Sequence, residues 1–300
     1  MTDHAPRRGR LDPHCSGRPR CVTFGGRPSL PCGVAWAMRL HGGEELAGGE
    51  RVPVVLAHGI FGYGNVGLGP LRHRYFYGVE DTLHAAGHPV LVTSVPPAGT
   101  IASRAAALVR QVKPWVEKVG PPLVVGHSMG GLDLRYALAK LGLAGDVRAY
   151  LSVATPHRGS PFADWVVRRA GLPGRLAAGS LRRLGLGVDG IENLTTGYMA
   201  RFNEEVPDVE GLAYHSVAAV PPTRRHVFPG LRFSYDVIHA AEGDNDGMVG
   251  RDSACWGRCL DPWPCDHTHA RNQRFFGAED VGPRYLEAVR TVAEGVPASA

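Results

Sequence analysis

No run of about 18 consecutive apolar residues occurs anywhere in the 300-residue chain, so the sequence offers no candidate membrane-spanning helix. Blocks of like charge are also missing. Lys and Arg number 33 against 28 Asp and Glu, a net charge of +5 that is spread rather than clustered, and this does not suggest a nucleic-acid partner. The first 31 residues are rich in Arg, Pro and Gly instead of opening on an apolar stretch, so no signal peptide and a cytoplasmic location are expected; Met38 is a second possible start. Cysteines are few: Cys15, Cys21 and Cys32 fall in the polar tail, and Cys255, Cys259 and Cys265 near the other end, a distribution that leaves the redox compartment open. There is no internal repeat and no clear interdomain linker.

What is present is enough apolar content, 44%, for one full core. From Val52 onward, short β-rich runs alternate with helical patterns, the order that predicts a mostly parallel central sheet with helices on both faces. Strands are expected at Val52 to Ala57, Pro89 to Val95, Pro122 to Val125, Val147 to Ala154 and Leu212 to Val220. Helices are expected at Val79 to Ala86, Ile101 to Val119 with a kink or break at Pro114, Met129 to Leu141, and Pro283 to Glu294. Residues 1–50 read as a polar tail and 51–296 as a single α/β domain. A long, mostly helical insertion, about 160–207, is the natural candidate for a cap or lid.

Gly126-His127-Ser128-Met129-Gly130 matches the G-x-S-x-G elbow, in which a tight strand-to-helix turn presents a serine hydroxyl above the sheet. Flanking glycines remove Cβ clashes in such a turn, and the helix that follows directs N–H groups at a developing oxyanion. Serine is a weak nucleophile, so a histidine must accept its proton and a carboxylate must orient that histidine. After Ser128 the best acid is Asp246 in Asn245-Asp246-Gly247, with Asp244 its rival. Only His267 and His269 follow it, and His267 is chosen. The glycine-rich loop after the first strand, starting His58-Gly59-Ile60-Phe61-Gly62, is placed to supply a second oxyanion donor, so the backbone N–H groups of Ile60 and Met129 are the expected hole.

Together these motifs resemble the bacterial triacylglycerol lipases typified by Pseudomonas and Burkholderia enzymes, over roughly Val52 to Gln273. The resemblance rests on Leu56 to Gly62, Tyr75-Phe76-Tyr77-Gly78-Val79, the elbow, Ala154 to Ser160, Ala200-Arg201-Phe202-Asn203, Asn245-Asp246-Gly247 and His267 to Gln273. It implies an α/β-hydrolase fold with a helical lid insertion and a carboxylic ester hydrolase acting on acylglycerols or related lipid esters. Ser128 would be the nucleophile, Asp246 the acid, His267 the base, and His157 structural. An acyltransferase using the same triad, or a silent hydrolase-fold protein binding lipid or a partner, are the alternatives.

Many secreted members of that family bind a structural calcium through an aspartate two residues after the base. His269 stands there, and although Asp236 and Gln273 could match other ligands, loss of a carboxylate weakens a hard-cation site, so calcium is disfavoured and no cofactor is expected. Asp252 replaces the cysteine those members carry after Asn-Asp-Gly, so their disulfide is not expected. A zinc reading of Cys255, Cys259, Cys265, His267 and His269 would consume the base; ordinary buried or disulfide-linked cysteines are favoured over it. Ser160 to Leu186 is basic and amphipathic, carrying Phe162, Trp165, Val166, Leu172, Leu176, Leu181 and Leu184 beside Arg168, Arg169, Arg175, Arg182 and Arg183. It could cover an acyl pocket, lie on a lipid surface as a peripheral contact, or simply pack on the body.

Overall fold

Val54 and Leu56 of the first strand face one apolar cluster while Val55 and Ala57 face another, so a single four-residue run is buried on both sides. That is the signature of a central parallel strand. The computed structural model describes residues 51–60, 62, 74–169, 189–275 and 278–295. The tail over 1–50 with its three cysteines, most of the loop after Gly59, and the lid positions Leu172, Arg175, Leu176, Leu181, Arg182, Arg183 and Leu184 lie outside the described residues.

Six parallel strands form the sheet: β1 (Val54–Ala57), β2 (Val90–Val92), β3 (Leu123–His127), β4 (Ala149–Val153), β5 (Ala213–Val217) and β6 (Arg258–Cys259). Their order is β2-β1-β3-β4-β5-β6. The chain therefore steps outward from β1 to β2 and returns to the other side of β1 as β3. Such a reversal leaves a crevice at the carboxyl ends of β1 and β3, where ligands of open α/β sheets bind.

Helix α1 (Val79–Ala85) and the closing α9 (Gly282–Glu294) cover one face, and α2 (Ile101–Val119) and α3 (Met129–Lys140) the other. Thr100 caps α2 by accepting the Ser103 N–H at 3.2 Å. Pro114, expected to kink or break α2, sits inside an uninterrupted helix. It and Arg110, whose carbonyl it leaves without an N–H partner, are both exposed, so water can serve that carbonyl. The insertion is helical over 161–169 (α4), Asp189–Glu192 (α5) and Thr196–Glu205 (α6). Two further helices, α7 (Arg232–Glu242) and α8 (Arg251–Ala254), were not anticipated and bracket the acid-bearing turn. The sixth strand was also not anticipated. Cys259 on it is joined to Cys255 by a disulfide, while Cys265 is buried in the core between β6 and α9 as a free thiol.

Candidate active site

Ser128 separates β3 from α3 and holds φ 55° and ψ −133°, a region that L-residues avoid. Two close approaches impose this turn. A Cβ on Gly126 would lie 2.4 Å from Gly131 Cα, and one on Gly130 would lie 2.2 Å from the Ala57 carbonyl oxygen. Side-chain support comes from Thr155, whose hydroxyl donates to the Ser128 carbonyl at 2.8 Å. The strain at Ser128 is thus held in place by the β1, β3 and β4 ends around it.

Residues far apart in sequence converge on this hydroxyl. His267 Nε2 lies 3.0 Å from Ser128 Oγ, and its Nδ1 donates to Asp246 Oδ2 at 2.7 Å. The Asp246 side chain is buried, and its second oxygen accepts the N–H groups of Met248 at 2.8 Å and Val249 at 2.7 Å. Asn245 shapes the turn by accepting the Gly247 N–H and donating to the Gly243 carbonyl. The rival Asp244 instead pairs with Arg251 at 3.7 Å on the surface, and His269 donates through Nε2 to the Glu279 carbonyl.

Ile60 follows Gly59 at the end of β1, and Met129 begins α3, where a first-turn N–H has no intrahelical acceptor. Gly59 is pressed against the nucleophile: a Cβ there would meet Ser128 Cβ at 2.8 Å and the Tyr75 hydroxyl at 2.7 Å. The backbone before Ile60 is pinned from behind, because Arg104 Nη2 donates to the His58 carbonyl at 2.7 Å. Arg104 also donates through Nη1 to Pro96 and forms a fully buried pair with Asp133 of α3. Burial raises the Asp133 carboxyl to about 6 against the opposing pull of Arg104.

His58 is buried, donates through Nδ1 to the Gly59 carbonyl and accepts the Val95 N–H at Nε2, and burial lowers it to about 4. His127, next to the nucleophile, packs 4.8 Å from the His267 ring and is hydrogen-bonded to Tyr75 at 2.9 Å; burial, then the charges of His267 and Arg271, lower it well below its ordinary value. Both rings are therefore neutral scaffolding. His157 is held by Ser152 at 2.9 Å and stacks on Trp256, and burial followed by the charges of Arg135 and Arg158 keeps it neutral. It belongs to a separate cluster, which fits the structural role the resemblance implied.

No family model matches the chain. It is 28% identical to a triacylglycerol lipase of Pseudomonas fragi over 81% of this chain and 97% of that one. Triacylglycerol lipase 2 of Saccharomyces cerevisiae is 32% identical over 62% of this chain and 58% of its own length, and a Burkholderia plantarii triacylglycerol lipase 34% identical over 39% and 32%. Among solved structures, a Bacillus licheniformis lipase superposes with a TM-score of 0.63 at 20% identity, covering 80% of this chain and 92% of that one. A metagenomic carboxyl esterase gives 0.64 at 22% identity, covering 82% and 76%. The chain has the fold of these lipases and esterases and is similar in sequence to triacylglycerol lipases.

At this site, the residues considered for a metal are engaged elsewhere. Both Asp236 oxygens accept from Arg224, Gln273 accepts from Arg271, and His269 donates to Glu279, a donor set that does not fit a hard-cation site. Cys255 and Cys259 are disulfide-linked, and Cys265 is buried apart from them. Sequence reasoning missed Tyr75, Arg104, Asp133 and Asp266. Asp266 accepts the Phe228 and His269 N–H groups at 2.6 and 2.8 Å and so anchors the loop that carries His267.

Proposed function

We propose that the protein is a serine hydrolase that cleaves carboxylic esters of lipids through an acyl-enzyme on Ser128. The observation that carries this reading is the continuous chain from Ser128 Oγ through His267 to the buried Asp246, at 3.0 and 2.7 Å. His267 Nε2 takes the serine proton as Oγ attacks the carbonyl carbon. Asp246 holds the Nδ1–H tautomer and stabilises the imidazolium that forms. The N–H groups of Ile60 and Met129 receive the oxyanion. Collapse of the tetrahedral intermediate expels the alcohol, protonated by His267. Water deprotonated by the same imidazole then releases the acid and regenerates Ser128. The names of the relatives support an acylglycerol as the ester.

An aromatic surface supports contact with a lipid interface. Phe162 and Trp165 of α4 stack at 6.0 Å, and Phe233 of α7, 55% exposed, packs on Trp165 at 5.0 Å. Arg168 and Arg169 are exposed beside it, with Arg169 over the Trp165 ring. The deciding test of the activity is turnover of short and long p-nitrophenyl esters by wild type and Ser128→Ala. Loss of about five to six orders in kcat upon substitution is expected; equal turnover by both proteins sinks the mechanism.

A further inference from the structure

Arg271 is a half-buried guanidinium with no carboxylate paired to it among the described residues. One Nη donates to Gln273 Oε1, and the charged plane lies over the Tyr75 ring with Cζ 4.7 Å from its centroid. A guanidinium has five N–H donors, and Gln273 and the Tyr75 hydroxyl take only part of that capacity among the described residues. Removing such a group from water without a counter-charge is unfavourable.

The position of this cation connects it with the reacting centre. The Tyr75 hydroxyl and Ser128 flank the same point, since a Cβ on Gly59 would touch both, at 2.7 Å and 2.8 Å. The guanidinium is therefore one aromatic ring removed from the nucleophile. No neighbouring side chain among the described residues forms an ion pair with it. His58 and His127 are buried and neutral, and the carboxylates of Asp246 and Asp266 are committed to His267 and to backbone N–H groups. A rigid fork of donors one aromatic ring from the nucleophile is suited to phosphate or carboxylate oxygens, which it can hold in bidentate fashion.

We propose that Arg271 is a specificity-determining residue that binds an anionic oxygen group, phosphate or carboxylate, carried by the ester itself, so that the site prefers acidic esters to neutral ones. The proposal rests on the ester-hydrolase reading above and names the substrate class it favours. A phosphate on the glycerol carbon farthest from a 1-acyl ester spans about one aromatic ring, which makes 1-butyrylglycerol 3-phosphate a suitable probe. The neutral partner is 1-butyrylglycerol, and monoethyl adipate against diethyl adipate forms the carboxylate arm.

Wild type is expected to hydrolyse at least one charged ester with kcat/KM about tenfold above its neutral partner, an advantage that shrinks as salt is raised. The two arms show whether phosphate or carboxylate is the better fit. Arg271→Gln is expected to remove the advantage through KM while leaving the neutral esters within about twofold, and Arg271→Lys to restore part of it. Parallel losses on charged and neutral esters would mean a structural role, and no loss would mean no role; either overturns the proposal. Calorimetric binding of the non-hydrolysable ether 1-O-butylglycerol 3-phosphate separates this from the activity itself. Arg271-dependent binding without ester turnover would remove the hydrolase reading and keep the anion site, whereas turnover indifferent to Arg271 would do the reverse.

Discussion

Arg104 and Asp133 meet at 2.8 Å between α2 and α3 with neither side chain exposed to solvent, and the same guanidinium holds the His58 carbonyl just ahead of the oxyanion loop. The ion pair therefore ties two helices to the active site. Truncating one partner leaves the other charge buried and uncompensated. Asp133→Ala should cost about 3–5 kcal/mol in denaturant unfolding, and the double variant Arg104→Met/Asp133→Ala should recover part of that loss. An additive double variant would show that the two charges are not coupled.

Asp246→Asn tests the orienting role of the acid separately from the fold. The amide can still accept the Met248 and Val249 N–H groups through its oxygen, but its NH2 then faces His267 Nδ1 and favours the opposite tautomer. A fall in kcat of about 10⁴ with little change in KM is expected, by analogy with the serine-protease triad. A loss below about tenfold would assign the orienting role to another group.

Much of this site was legible because its parts are local motifs. The elbow at Ser128 and the Asn-Asp-Gly turn each occupy a few consecutive residues, and the order acid before base left only His267 and His269 as the base. The Ile101–Val119 helix also carried its own boundaries, between a Thr cap and Gly120. The parts that escaped depend on contacts between distant segments. Nothing near Arg104 in sequence announces Asp133, and nothing near Tyr75 announces Arg271. The two-residue β6 is too short for any period to show. Pro114 does not interrupt α2, and the carbonyl it strands, on exposed Arg110, can reach water.

Stability should fall steeply on mild acidification. His58 has a folded value near 4 against an ordinary 6.5, so between those limits the unfolded chain binds a proton that the folded chain refuses. Its contribution is fully present above about pH 6.5 and is lost as pH falls toward 4, amounting to about 3 kcal/mol. His127 and His157, both lowered by burial, act in the same direction. Denaturant midpoints measured from pH 7 to 4.5 should drop in wild type and drop less in His58→Gln; identical slopes would rule out His58 as a source.

Gly59→Ala probes the packing at the mouth of the oxyanion loop. The added methyl would sit 2.7 Å from the Tyr75 hydroxyl and 2.8 Å from Ser128 Cβ, both inside contact distance, so the loop has to move away from the nucleophile. A displacement of the Ile60 N–H weakens transition-state stabilisation more than ester binding. The expected result is a loss of about 10²-fold or more in kcat with a smaller change in KM. A variant with wild-type kcat would show that the loop's N–H takes no part in the reaction.

The aromatic patch makes a prediction that distinguishes substrate presentation from chemistry. Phe162, Trp165 and Phe233 have no hydrogen bond to the triad, so replacing two of them should not alter turnover of a dissolved ester. Trp165→Ser/Phe233→Ser should retain full activity on short monomeric p-nitrophenyl esters. On long-chain ester presented in anionic vesicles it should lose about tenfold or more, because aromatic side chains at a membrane surface contribute through apolar burial and the flanking arginines through charge. Equal activity of variant and wild type on vesicles would assign the patch to packing of the insertion alone. A parallel loss on dissolved and aggregated ester would place it in the acyl pocket.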